Sequence, residues 1–362
     1  MRLALAAVVT LFFAACGHVI PGSLTADGKP FDFAQPGRCE PSAPDDAKVD
    51  VRYLGSGGVW IGWRGEAILI GPSFSNPPLW RAAVWRAGFD QHRITRALAP
   101  LDLGRVRAVL AGHSHYDHIG DFPVVARTRE LAGVPIHVNA AGLQMLRAEP
   151  DLFARAHEIT DKKLITVSDA IHVRAVRSSH APQLCPWRRF PCVYASGPVR
   201  EPWPEKSWTR HLLRSFKGGE TFAFVIELLE AGEVRYRIYY TDSSPDSPTS
   251  PVDGDVDLAI LVMAQWKWAR GYPNDLLAAL HPRHVVVSHW DNFFRKDENG
   301  SRFVPNLSNG SAEQFLAVIN EKVSDDAGPT NRVCGVRSQR WTMPVVGASM
   351  QFDTQKPPSG GQ

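Results

Sequence analysis

Four side chains of metal-binding type stand within six positions, His113, His115, Asp117 and His118, in the stretch Ala111-Gly-His-Ser-His-Tyr-Asp-His-Ile-Gly-Asp121. The run before them, Val106-Arg-Ala-Val-Leu110, is short, apolar and β-branched, which predicts a buried strand ending at Ala111-Gly112. The ligand-type residues therefore lie on the loop that leaves a strand. In an extended segment alternate residues share a face, so His113 and His115 serve one ion while Asp117 and His118, past the bend, reach another. Imidazoles with a carboxylate suit Zn2+, with Mn2+ or Fe2+ as alternatives. A polar turn with chance histidines would explain one His, but poorly explains four ligand-type residues this close together.

His113-Ser-His115-Tyr-Asp117-His118 after an apolar strand resembles the His-x-His-x-Asp-His signature of the metallo-β-lactamase superfamily. Members of that family take three further ligands from later strand ends, in the order His, bridging Asp, His. The chain offers Ser178-Ser-His180 after Ile171 to Val176, Thr241-Asp242 after Arg235 to Tyr240, and His289-Trp290 after His284 to Ser288. The resemblance implies His113, His115 and His180 on one metal, Asp117, His118 and His289 on the other, and Asp242 between them. It also implies an α/β fold, the αββα sandwich of two mixed β-sheets flanked by helices, across residues 49–350. Two cations about 3.5–4 Å apart can hold a hydroxide and clamp the oxyanion made by its attack. The implied activity is a metal-dependent hydrolase with a dinuclear-zinc-bound hydroxide, in which the second oxygen of Asp117 orients the nucleophile.

Short apolar strands, Val51 to Leu54, Val59 to Trp63 and Ala67 to Ile70, open the domain as hairpins and lead into Gly71-Pro72. This opening resembles the branch that includes N-acyl-phosphatidylethanolamine phospholipase D and ascorbate-6-phosphate lactonase, where a similar strand ends in Asp-Pro. Gly71 replaces that Asp, and with it a carboxylate that supports the metal site from behind. The resemblance points to a phosphodiester, phospholipid or other ester substrate. A lactonase is the alternative. A β-lactamase is disfavoured because the bridging Asp242 is present. A metal-free relic used for binding would have lost ligands, and none is missing; a non-catalytic metal-binding lipoprotein is a further alternative. A flavin-coupled oxidoreductase would need carboxylate-rich iron ligation and a flavodoxin-like domain, and the chain has neither.

The first sixteen residues hold Arg2, an apolar run from Leu3 to Phe13, and Ala14-Ala15-Cys16, which reads as an export signal. Small residues before a Cys resemble the lipobox of bacterial lipoproteins, with Cys16 lipidated and the protein held in the bacterial cell envelope, on the periplasmic or outer-membrane face. Phe13 stands where that motif usually has Leu, so cleavage after Ala15 by an ordinary signal peptidase is the alternative. The apolar run is shorter than the roughly 20 residues of a membrane span. In an oxidising compartment Cys39, Cys185, Cys192 and Cys334 suit two disulfides. Of three possible pairings, Cys185 with Cys192 as a local clip and Cys39 with Cys334 as a tie between the ends is preferred.

Residues 17–48, rich in Pro and Gly, form a tether and strap, and residues 351–362 a flexible tail. With 44% hydrophobic and 21% charged residues in 362, the rest is one folded unit, and a net charge of +3 gives no reason to expect a nucleic-acid partner. Helical patterning is expected over 122–131, 140–152, 273–280 and 311–322. The stretch 184–219 reads as an inserted loop outside the core. It carries Trp187, Trp203 and Trp208 with Arg188, Arg189, Arg200 and Arg210 directly after a metal ligand, which suits a lid selecting an amphiphilic anion or lipid. Tyr116, Trp187 and Trp290 are the expected substrate contacts.

Overall fold

The computed structural model describes residues 45–75, 86, 88–181, 198–212, 215–245, 252–291, 312–323, 328–331 and 333–354. Strands β1 (Lys48–Gly55), β2 (Gly58–Trp63) and β3 (Glu66–Ile70) form an antiparallel meander. Strands β4 (Val106–Leu110), β5 (Ile136–Val138) and β6 (Ala156–Glu158) extend that sheet in parallel. In the second sheet β7 (Leu164–Thr166), β8 (Ile171–Ser178), β9 (Thr221–Glu230) and β10 (Glu233–Tyr240) are antiparallel neighbours. Strands β11 (Leu258–Val262) and β12 (His284–Ser288) follow in parallel, and β13 (Gly335–Arg337) and β14 (Trp341–Pro344) complete it. The last strand, β15 (Ser349–Asp353), returns to the first sheet and pairs antiparallel with β1.

Side-chain alternation explains the layers. On β2, Val59, Ile61 and Trp63 join one apolar cluster, shared with the second sheet, while Trp60 joins another. On β3, Ile68 and Ile70 divide from Ala67 and Leu69 in the same way. Both faces of the first sheet are therefore buried, as the continuous apolar runs of these strands require. One face meets the second sheet. The other meets the helices Gln91–Leu98, Phe122–Val125 and Ala140–Leu146. The helices Asn274–Leu280 and Ala312–Lys322 pack on the far side of the second sheet through Leu276, Leu277, Phe315 and Ile319. This is the expected sandwich of two mixed sheets between helices.

Several expected boundaries shift. The helix read over 140–152 divides at Pro150, which starts the separate turn Pro150–Phe153 because its ring cannot continue the preceding helix. Patterning over 122–131 yields Phe122–Val125 and a 3₁₀ turn, Arg129–Leu131. The flexible tail drawn from residue 351 is corrected: Gln351 and Phe352 lie in β15, and Phe352 is buried opposite Val49. The stretch 184–219 is corrected in part, since Trp203, Trp208 and Phe216 are core residues. Residues 1–44, with Cys16 and Cys39, lie outside the described residues, as do Cys185 and Cys192. No helix among the described residues is long and apolar enough to cross a membrane.

His284 on β12 is fully buried, with Nε2 2.9 Å from Thr342 Oγ1. Burial pushes its imidazole down to about 4. Burial, with His157 and Lys163 nearby, does the same to His137, also to about 4. Both are accommodated as neutral rings, so their contribution is complete above the ordinary value of about 6.5 and is lost as pH falls from there toward 4. Urea unfolding between pH 7 and 4 should therefore lose up to about 1.4 kcal/mol per pH unit for each such group inside that window. His284→Gln should make this slope shallower.

Candidate metal centre

The chain leaves β4 through Ala111-Gly112 and turns under the second sheet. A Cβ on Gly112 would lie 2.3 Å from Phe222 O and 2.7 Å from Asp242 Cβ, so only glycine admits this approach. The Asp242 carboxylate, just past the end of β10, thereby reaches the motif. Its Oδ2 accepts from the His113 amide at 2.7 Å and lies 2.7 Å from His113 Nδ1. With Nδ1 donating to the carboxylate, Nε2 keeps its lone pair and faces His115 Nδ1 at 3.0 Å. The His180 ring completes the group, 5.0 Å from the His113 ring and 4.8 Å from that of His115. His180 Nδ1 donates to Ala181 O at 2.8 Å, and since a carbonyl only accepts, Nε2 is again free to bind.

The second group forms one helical turn later. Asp117 and His118 lie on the short helix Tyr116–Ile119, and His289 follows β12. Asp117 Oδ2 is 3.3 Å from His289 Nε2 and 3.7 Å from His118 Nε2. Asp242 Oδ1 approaches His118 Nδ1 at 3.3 Å and the Tyr240 hydroxyl at 2.8 Å. Three sets therefore have ligand atoms within 4.8 Å of one another: His113, His115 and His180; His113, His118 and Asp242; Asp117, His118 and His289. All seven residues expected from the sequence are brought together. The carboxylate of Asp242 touches both histidine-rich halves from the Nδ1 side of His113 and His118.

The electrostatics fit a cation. Burial, reinforced by neighbouring imidazoles, lowers His113 and His115 and holds His180 down at about 3, so these rings are neutral at pH 7. Burial alone would raise Asp117 and Asp242, but His118 with His289, and His118 with His113, hold them well below the ordinary carboxylate range. His118 shows the reverse: burial would lower it, yet Asp242 and Asp117 raise it to about 9. Two buried carboxylates thus draw positive charge into the centre, which a divalent ion supplies without a proton. Asp117 Oδ1, buried and without a hydrogen-bond partner among the described residues, fits the same demand.

Gly71 has φ +58°, and a Cβ there would stand 3.5 Å from His118 Nδ1. A carboxylate at this position would stand near that nitrogen, which Asp242 Oδ1 approaches at 3.3 Å. Two other supports, Asn139 and Gly218, stand apart from the ligand motifs in sequence. The buried Asn139 accepts from Ser114 Oγ at 2.5 Å and donates to Gly218 O at 2.6 Å and Glu220 O at 2.5 Å. Gly218 passes so close that a Cβ would lie 2.8 Å from His115 Nε2. Asn139 could have been found as the polar N-cap before the helix Ala140–Leu146.

Two expected substrate contacts are corrected. Tyr116 is buried, its hydroxyl donates to Ser75 O at 2.8 Å, and its ring packs edge-on against Phe216. Trp290 is fully buried, with Nε1 donating to Pro344 O at 3.0 Å. Both rings are apolar bodies whose one polar atom is satisfied by the backbone, so they belong to the framework. Trp187, Arg188 and Arg189 lie outside the described residues. Trp203 and Trp208 pack with Phe216, and Trp208 Nε1 donates to Gly120 O at 2.9 Å, clamping the motif from behind. Arg200 and Arg210 are exposed.

The family described as beta-lactamase superfamily domain matches residues 66–290, more than half of the chain. No curated protein matches. Among solved structures, Igni18, a metallo hydrolase from the archaeon Ignicoccus hospitalis, is 14% identical over 84% of this chain and 98% of its own, with a TM-score of 0.45. The metallo-β-lactamase fold protein YhfI from Bacillus subtilis is 11% identical over 84% of this chain and 99% of its own, with a TM-score of 0.47. CmlA, a diiron β-hydroxylase from Streptomyces venezuelae, is 15% identical over 86% of this chain and 55% of its own, with a TM-score of 0.46. Likenesses this distant say nothing about chemistry. The family match, which spans all seven converging side chains on two mixed sheets between helices, places this chain in the β-lactamase superfamily, with the metallo-β-lactamase fold.

Proposed function

We propose that the protein is a metal-dependent hydrolase that holds two divalent ions, with zinc as the metal and a phosphodiester, phospholipid or other ester as substrate. The observation that carries this reading is the convergence of the seven ligand-type side chains into overlapping groups at the strand ends of both sheets. When bound, the ions supply Lewis acidity and turn water into a nucleophile at neutral pH. His113, His115 and His180 would hold one as neutral imidazoles, and Asp117, His118 and His289 would hold the other. Asp242 orients His113 and is shared between the halves. Asp117 Oδ1, without a hydrogen-bond partner among the described residues, would accept a hydrogen bond from a water at the centre and fix its direction.

Leu69-Ile-Gly-Pro72 and His289-Trp290 support the phospholipase and lactonase branch, with phosphodiesters and phospholipids first, lactones second and β-lactams last. The Arg2 to Cys16 segment supports an exported, lipid-anchored protein, and the two cysteine pairings belong to that same reading.

Elemental analysis of the purified protein after zinc addition should find two ions per chain, and phosphodiester or ester probes should turn over. Less than one ion with no turnover of any ester would falsify the hydrolase reading. Asp242→Ala, which leaves His113 Nδ1 without its carboxylate, should cut metal retention and turnover together by about 10–100-fold. Gly71→Asp should have the opposite sign. Asp tolerates a left-handed backbone, and its carboxylate would reach His118 Nδ1, so chelator competition should show up to about tenfold tighter retention of the ion on that half. Cys16→Ala should move the protein from the membrane pellet to the soluble fraction, and its staying in the pellet would reject the anchor.

A further inference from the structure

His289 is the only proposed ligand held at positive φ, +50°, a left-handed conformation that side chains with a Cβ rarely adopt. Something must hold it there. Its backbone N–H donates to the Tyr53 hydroxyl at 2.9 Å, and that hydroxyl donates in turn to Asp291 Oδ1. Asp291 also accepts from the Ser56 amide, at 3.1 Å through Oδ1 and 3.3 Å through Oδ2. Tyr53 and Asp291 are both buried. Tyr53 belongs to β1 of the first sheet, whereas His289 and Asp291 follow β12 of the second, so the contact crosses between sheets.

The same turn presses on the other ligands. A Cβ on Gly57 would lie 3.4 Å from His118 Cε1 and 3.5 Å from His289 Cδ2, and Gly57 O lies 2.9 Å from the Tyr240 hydroxyl that reaches Asp242. The turn from Gly55 to Gly57 thus lies against His118 and His289 and is fastened through Ser56 by Asp291. In the other half His113 bonds to Asp242 and His180 to Ala181, and His113 reaches this turn only through Asp242 and the Tyr240 hydroxyl.

We propose that Tyr53 and Asp291 form a positioning pair that locks the His289 backbone in its left-handed conformation and so sets metal retention by the Asp117, His118 and His289 half alone. The inference rests on the two-ion reading above. In Tyr53→Phe the ring stays and the hydroxyl goes, which removes both the acceptor for His289 N–H and the donor to Asp291. Retention of the second ion should fall by about 10–100-fold while the first is unchanged. The readout is chelator competition with zinc, together with cobalt(II) absorption spectra that distinguish the two halves. Asp291→Asn should move the same half in the same direction. Hydrogen exchange of the His289 amide, measured on metal-stripped full-length protein, should quicken in Tyr53→Phe. Thr342→Val, a buried hydroxyl change in the same sheet, serves as the control for plain loss of stability.

Equal weakening of both halves in Tyr53→Phe, matching that control, would overturn the proposal, as would unchanged retention of both ions. Wild-type protein that takes up no zinc or cobalt would remove the two-ion reading itself, an outcome distinct from either.

Discussion

The hydrogen bond from His113 Nδ1 to Asp242 Oδ2 is the contact on which the centre depends. It joins the loop after β4 to the loop after β10, one from each sheet, and both groups are almost fully buried. Stripping water from an imidazole and a carboxylate is costly, and only mutual satisfaction offsets it. The contact therefore fixes sheet against sheet as well as ring against metal. Gly112 exists in its present form because of it: any side chain would push the two loops apart.

From that contact the ligand groups follow by geometry. A carboxylate behind His113 settles which nitrogen faces forward, and Ala181 O settles the same question for His180. The motif loop is held on its other side by Asp121, whose Oδ2 accepts from the Phe74 amide at 2.5 Å and the Ser75 amide at 2.7 Å. Trp208 holds Gly120 from the helical layer. Three segments distant in sequence thus converge on the motif loop.

Much of this was legible in the sequence, and for a physical reason. Ligands placed directly after apolar strands announce themselves, because the strand pattern and the ligand spacing are both local; His113 to His118, His180, Asp242 and His289 are all of this kind. What escaped reading is non-local. Tyr53 and Asp291 are 238 positions apart, and neither has a distinctive neighbourhood. Trp203 and Trp208 sit among prolines and charges that suggest a solvated loop, yet their rings fill the space behind the motif. Tyr116 and Trp290 adjoin ligands in sequence but not the site in space, because successive residues leave the backbone in different directions. Strand β15 was hidden by its brevity and by the Pro- and Gly-rich residues after it.

The return of β15 to β1 bears on the order in which the molecule can be completed. All seven ligands have been made once a growing chain reaches His289, yet β12, which carries that histidine, still lacks its neighbour β14. Strand β1, which carries Tyr53, likewise has a bare edge until residues 349–353 leave the ribosome. A nascent chain therefore holds a full set of ligands before it holds the scaffold that aims them. During synthesis the strand that carries Tyr53 gains its outer neighbour only after the last ligand has been made, from a segment that contributes no ligand at all.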